Sequence, residues 1–410
     1  MARKAGATQT FLFFQTVTTL AFGLVFTAMS LYEIRVAKLS PLQLVLVGTV
    51  LEAACFLFEV PTGVVADVYS RRLSVVIGVS LIGLGFLLEG SLPLFGTILL
   101  AQVLWGLGYT FISGAEQAWL SDEIGEADAN RAFLRGNRYS LGGSLAGMLL
   151  AILIGGRNVR LPILAGGGIF LLLALLLALK MPETGFHPAP REERNSFRQM
   201  VKIFQDGLQA VRQRPRLGII LWIGLFYGLY SEGFDRLWIK LMVSRFSLPA
   251  IPGLGEIAWF AGIQMVGMLL SIPATRLVER RLDTSRPELI TRLMFGVTAG
   301  LAAGLVAFAF SPWLALTLAV LWLISVLRNL SDPLYTAWVN QRLDSQVRAT
   351  VLSMSSQVNA LGQIVSGPAV GLVANLLSVP AAIAVSGALL TPALALTARL
   401  DGHPVDSAGP

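Results

Sequence analysis

The chain has 410 residues, 55% hydrophobic and only 13% charged, with a formal net charge of +7. Soluble domains carry about 25% charged residues, so this composition and a mean hydropathy of +0.70 mark an integral membrane protein. The basic residues are scattered through short loops, which argues against nucleic acid as a partner; a lone cysteine, Cys55, excludes an intramolecular disulfide or thiolate cluster, and two histidines in polar segments, His187 and His403, leave no basis for a metal site or cofactor.

In chain order, Met1 to Thr10 is short and basic, and the apolar run from Phe11 is too long for a signal-peptide core. It is expected to stay as the first span. Runs of about 20 apolar residues predict an all-α membrane protein with spans at 11–33, 41–62, 73–92, 95–120, 132–155, 160–180, 217–243, 256–276, 289–311, 313–338, 349–376 and 379–398. Gly142, Gly143 and Gly147 in the fifth span would let helix backbones approach closely. About three quarters of the 31 Lys and Arg residues fall on one side if both termini are cytoplasmic, the orientation that the positive-inside rule favours. The expected location is the inner or plasma membrane.

Residues 181–216 form the one long polar insertion and divide the chain into an N-terminal six-helix bundle, 1–180, and a C-terminal one, 217–410. The insertion opens as a Pro-rich linker. It continues with Phe197, Met200, Val201, Phe204, Leu208 and Val211 on one helical stripe, the pattern of an amphipathic helix on the membrane surface or packed beneath the spans. A faint repeat relates the halves. Ala118-Trp119 and Ala337-Trp338 close spans four and ten, Arg131-Ala132 and Arg348-Ala349 open spans five and eleven, and Pro61-x-Gly63 with Asp67 has a degraded twin in Pro273-x-Thr275 with Glu279. Two related six-helix halves with a site between them are a common transporter architecture.

The turn after span two reads Gly63-x-x-x-Asp67-x-x-x-Arg71-Arg72, a charged hinge between two apolar runs. With the six-and-six division, this hinge resembles motif A of the major facilitator superfamily, and the resemblance covers nearly the whole chain. It implies that fold and secondary transport by alternating access, not an enzyme. It further implies that Asp67 caps a helix start and that Arg71 pairs with Asp122 at the inner end of span four, forming a conformational latch with Gly63 and Arg72. Glu59-Val60-Pro61-Thr62-Gly63 and the Ser231–Trp238 stretch resemble bacterial drug exporters. Two features depart from proton-coupled members. Gln102 stands where they have Arg, and span five has Gly142-Gly143 without proline, whereas Gly367-Pro368 lies in span eleven.

Ionisable residues inside spans are costly and point to function. Glu52, Glu232 and Asp235 are the candidate proton carriers; Glu52 and Asp235 have no cation four residues away on their own helices. Glu232 with Arg236, and Arg328 with Asp332, are four apart and could neutralise each other. The candidate substrate cavity takes Gln15, Phe22, Phe26, Trp105, Tyr109 and Glu116 from the first half. From the second it takes Tyr227, Tyr230, Phe234, Arg236, Gln264, Trp322, Arg328 and Asp332. Acids among aromatics suit amphipathic or cationic organic molecules. The expectation is a monomeric, proton-coupled exporter of such compounds in the lipid bilayer; a lipid or lysolipid carrier or a nutrient importer is the alternative.

Overall fold

A computed structural model describes residues 2–188, 215–249, 251–281, 287–341 and 345–401. The stripe from Phe197 to Val211, the side chain of Glu279 and His403 lie outside the described residues. Among the described residues all regular structure is helical. The helices are α1 (Ala2–Arg35), α2 (Pro41–Val68), α3 (Arg71–Ser91), α4 (Phe95–Ile112), α5 (Ala115–Ile124), α6 (Glu126–Gly155) and α7 (Arg160–Lys180). There follow α8 (Pro215–Arg245), α9 (Ile257–Arg281), α10 (Pro287–Phe310), α11 (Leu314–Gln341), α12 (Ser345–Leu376), α13 (Val379–Ala388) and α14 (Thr391–Asp401).

Two spans are broken. The fourth expected span is α4 plus α5, interrupted at Ser113 and Gly114, where Gly114 takes a φ of 75° that an L side chain rarely adopts. The last is α13 plus α14. Counted this way, ten stretches among the described residues are long and apolar enough to cross a membrane, and α8 and α12, of 31 and 32 residues, occupy the other two expected spans. Pro61, Pro273, Pro333 and Pro368 lie inside α2, α9, α11 and α12.

The chain forms two compact units. The first comprises Met1–Ser40, Val50–Met200 and Leu248–Ala261; the second comprises Pro41–Thr49, Val201–Ser247 and Gly262–Pro410. In the first, α1 lies along α6, and α3 packs on α4 and α7. Gly143 and Gly147 sit against the α1 backbone at Thr16 and Leu20, where a Cβ would have no room. Gly142 faces open space instead, so only two of the three expected glycines serve the contact.

In the second unit α8 lies along α12 in the same manner, with Gly228 against the backbone of Asn359 and Gly362 against that of Leu225 and Leu229. Spans one and five thus meet as spans seven and eleven do, through glycine on backbone. The tryptophans of the repeat are alike in burial but not in partner. Both are buried, and each donates its indole N–H, Trp119 to the Pro182 carbonyl at 2.6 Å and Trp338 to Thr291 Oγ1 at 3.0 Å.

Candidate functional sites: a strapped hinge and a charged cavity

The first site is the α2–α3 hinge of the first unit. Arg71 opens α3 and forms an ion pair with Asp122 at the end of α5, as the motif implies. Asp67 corrects the expectation. It lies in the last turn of α2, not at a helix start, is 62% exposed, and stands 4.0 Å from Arg71. The start of α3 is capped by Ser70, whose Oγ accepts the N–H of Leu73 at 2.9 Å.

A second cap comes from far along the chain. Glu183, just past α7, accepts the hydroxyl of Ser70 at 2.6 Å and the backbone N–H of Arg72 at 2.8 Å. A carboxylate there answers both the unpaired N–H groups and the positive end of the helix dipole. The rest of this stretch is equally held. Glu123 accepts from the backbone N–H and hydroxyl of Thr184, at 2.5 and 2.9 Å, and from the N–H of Gly185 at 2.6 Å. The Arg71 guanidinium lies over the Phe186 ring at 5.9 Å, and Arg72 donates to the Ala178 carbonyl. What reads in sequence as the start of a linker is therefore a strap across the hinge. Gly63 has open space around it.

The aromatic residues expected to line a cavity from the first half pack on one another. Phe22 meets Phe170 at 4.9 Å and stacks on Phe26 at 5.1 Å, and Phe26 meets Trp105 at 5.2 Å between ring centres. Tyr109 is exposed. Glu116 falls in the first turn of α5, beyond the break, and accepts a 2.5 Å hydrogen bond from Gln15 of α1; Ser140 of α6 donates to the same Gln15 at 3.2 Å. Glu52 is half-buried on α2.

The second site lies within the second unit, a cavity of about 780 Å³. Tyr227, Tyr230, Phe234 and Asp235 of α8, Gln264 of α9, and Arg328 and Asp332 of α11 line it as expected. Trp238, Asn329, Asn359 and Gln363 join them, and sequence reasoning missed these four. Arg236 and Trp322 are absent from the wall. Arg236 turns to Glu232 at 3.2 Å, and Trp322 donates its indole N–H to the Ile263 carbonyl at 3.1 Å.

The expected pairing of Arg328 with Asp332 is not formed. Arg328 instead grips Asp235 with both terminal nitrogens, the second contact measuring 2.8 Å, and lies over the rings of Phe234 and Tyr230 at 5.5 and 6.0 Å. Helix order accounts for the difference. An acid preceding a base by four residues is the favoured arrangement, as in Glu232–Arg236, while Arg328–Asp332 has the reverse order. The two-point geometry offered by Asp235 is the stronger competitor. Asp332 is left exposed on the cavity wall with no carboxylate–cation contact of its own among the described residues.

These features sit in a recognisable family. A model described as the Major Facilitator Superfamily matches residues 11–367. The chain belongs to the major facilitator superfamily. An uncharacterized MFS-type transporter of Bacillus subtilis (strain 168), YxaM, is 24% identical over 81% of this chain and 80% of its own length. Among solved structures, the nucleoside transporter NupG superposes with a TM-score of 0.76 at 12% identity, covering 97% of this chain and all of that one. A bacterial homologue of the human lysosomal transporter Spinster gives 0.74 at 13% identity, over 98% and 97%. At such identities the structures establish the fold alone. As a member of the superfamily the protein is a membrane-embedded secondary transporter, not an enzyme.

Proposed function

We propose that this superfamily member exports small amphipathic, singly cationic organic compounds in exchange for protons, by alternating access, with both termini in the cytoplasm. The observation that carries the reading is the charge balance of the second-unit cavity. Arg328 is neutralised by Asp235, so Asp332 leaves one negative charge among Tyr227, Tyr230, Phe234 and Trp238. A carboxylate beside aromatic faces attracts an organic cation twice over.

Of the candidate carriers, Asp235 is the best situated, because its ion pair opens onto the cavity with the side chain 40% exposed. Glu232 is 4% exposed and held by Arg236. Protonating Asp235 would free Arg328, which links proton binding to the state of the site. Purified protein in proteoliposomes, given a fluorescent organic cation and an imposed pH gradient, tests this. Transport should follow the gradient. Transport indifferent to the gradient, and unaffected by Glu52→Gln with Asp235→Asn, would end the proton-coupled reading.

The amides of Gln264, Asn329, Asn359 and Gln363 on the same wall support a second reading, uptake of a neutral polar solute, the kind of cargo for which the nucleoside transporter NupG is named. Comparing uptake of nucleosides with resistance to cationic compounds, in cells with and without the protein, separates the two.

A further inference from the structure

Arg131, Arg135 and Arg138 open span five at intervals of four and three residues, which on a helix places them on one face over about 10 Å. The packing of α6 fixes where that face points. Ala129, Ala132, Gly136, Gly143 and Gly147 are buried, and the last two press against the backbone of α1; the three arginines lie off this buried stripe, nearer the start of the helix, and are exposed. Arg131 pairs with Asp128 at 2.5 Å; Arg135 and Arg138 have no acidic partner among the described residues. At the foot of this ladder is a cleft of about 460 Å³ between α1 and α6. Lys4, Thr8, Gln9, Arg131 and Arg135 line it over an apolar floor that includes Leu12. Its side chains carry three positive charges against the single carboxylate of Asp128, which Lys4 also contacts at 3.0 Å.

We propose that this cleft and ladder bind the phosphate of an anionic membrane lipid. The shared chemistry is phosphate recognition by arginine. The lipid is favoured over a soluble anion because Leu134 and Leu141, 69% and 46% exposed, flank the arginines along the same helix and would lie against acyl chain. The cleft also stands at the end of the unit that the positive-inside rule assigns to the cytoplasmic leaflet, where anionic lipids attract basic segments. The site belongs to the first unit and does not depend on the second-unit cavity or its substrate.

The test uses the purified full-length protein with phosphatidylglycerol, phosphatidylcholine or inorganic phosphate in matched detergent. Bound lipid is counted by native mass spectrometry, and melting is followed in parallel. Phosphatidylglycerol should be retained about tenfold more tightly than phosphatidylcholine and should raise the melting temperature, while inorganic phosphate leaves it unchanged. Raising salt should cut the phosphatidylglycerol signal selectively in the unaltered protein. Arg135→Gln with Arg138→Gln should lower retention about fivefold, the Lys pair at the same positions should keep most of it, and Arg157→Gln, off the ladder, should have no effect. Equal retention of the two lipids, salt-insensitive phosphatidylglycerol binding, or full retention by the folded double-Gln variant overturns the proposal. A melting shift with inorganic phosphate as large as that with phosphatidylglycerol assigns the cleft to a soluble anion and overturns the lipid assignment.

Discussion

Arg328 and Asp235 are joined by two parallel hydrogen bonds across 93 residues of sequence, linking α11 to α8 on the wall of the second-unit cavity. Removing one partner strands the other in a partly desolvated site. Arg328→Gln and Asp235→Asn should each destabilise the protein by about 1–3 kcal/mol. That range sits toward its lower end here because both side chains see solvent. The double variant should recover part of the loss. Melting of the four proteins gives a double-mutant cycle, and strict additivity would show that the pair is not coupled.

Asp332 is expected to govern charge preference rather than stability. Asp332→Asn should weaken binding of a monovalent organic cation about tenfold, as a lost charge contact in a low-dielectric site does. A neutral analogue should be unaffected. Isothermal titration with the two ligands makes the comparison, and equal losses for both would point to a steric effect.

The strap predicts a long-range effect of Glu183. Replacing it by Ala removes acceptors from Ser70 and from the N–H of Arg72, and should cost about 1–2 kcal/mol. It should also expose the hinge. Trypsin cleavage after Arg71 or Arg72 should quicken in Glu183→Ala and in Glu123→Ala. Unchanged cleavage in both would mean the strap contributes nothing to order at the hinge.

Gly147 and Gly142 make a matched pair on one helix. Gly147→Val should destabilise by about 1–3 kcal/mol or block accumulation, since its side chain would enter the α1 backbone at Leu20. Gly142→Ala, facing open space, should be neutral or slightly stabilising. Expression and melting of the two variants decide the matter.

The twelve spans and the hinge were legible because their signals are local: runs of apolar residues, and charges at fixed spacing within ten positions. Arg71–Asp122 also followed, from the resemblance. Glu183 was not legible. Its partners lie 113 and 111 residues upstream, and a Pro-Glu-Thr-Gly stretch reads as a loose turn until the end of α7 brings it to α3. The break at Gly114 left only a Ser-Gly step as its trace, and that break moves Glu116 out of α4 into a new helix. In the cavity, residue types were readable but partners were not. Spacing suggested Asp332 for Arg328, whereas helix order and two-point geometry select Asp235. Asn359 and Gln363 could have been found as a four-residue amide step on span eleven; Gln363 donates to Asn359 at 2.8 Å.

Pro333, on the cavity wall and inside α11, has no N–H to return to the carbonyl of Asn329 one turn earlier. The carbonyl of Asn329 therefore lacks its usual donor from the next turn of the helix. Alanine substitution of the other wall residues would never register this acceptor, because each of them keeps Pro333. Only restoring the missing amide, by replacing the proline itself, would silence it.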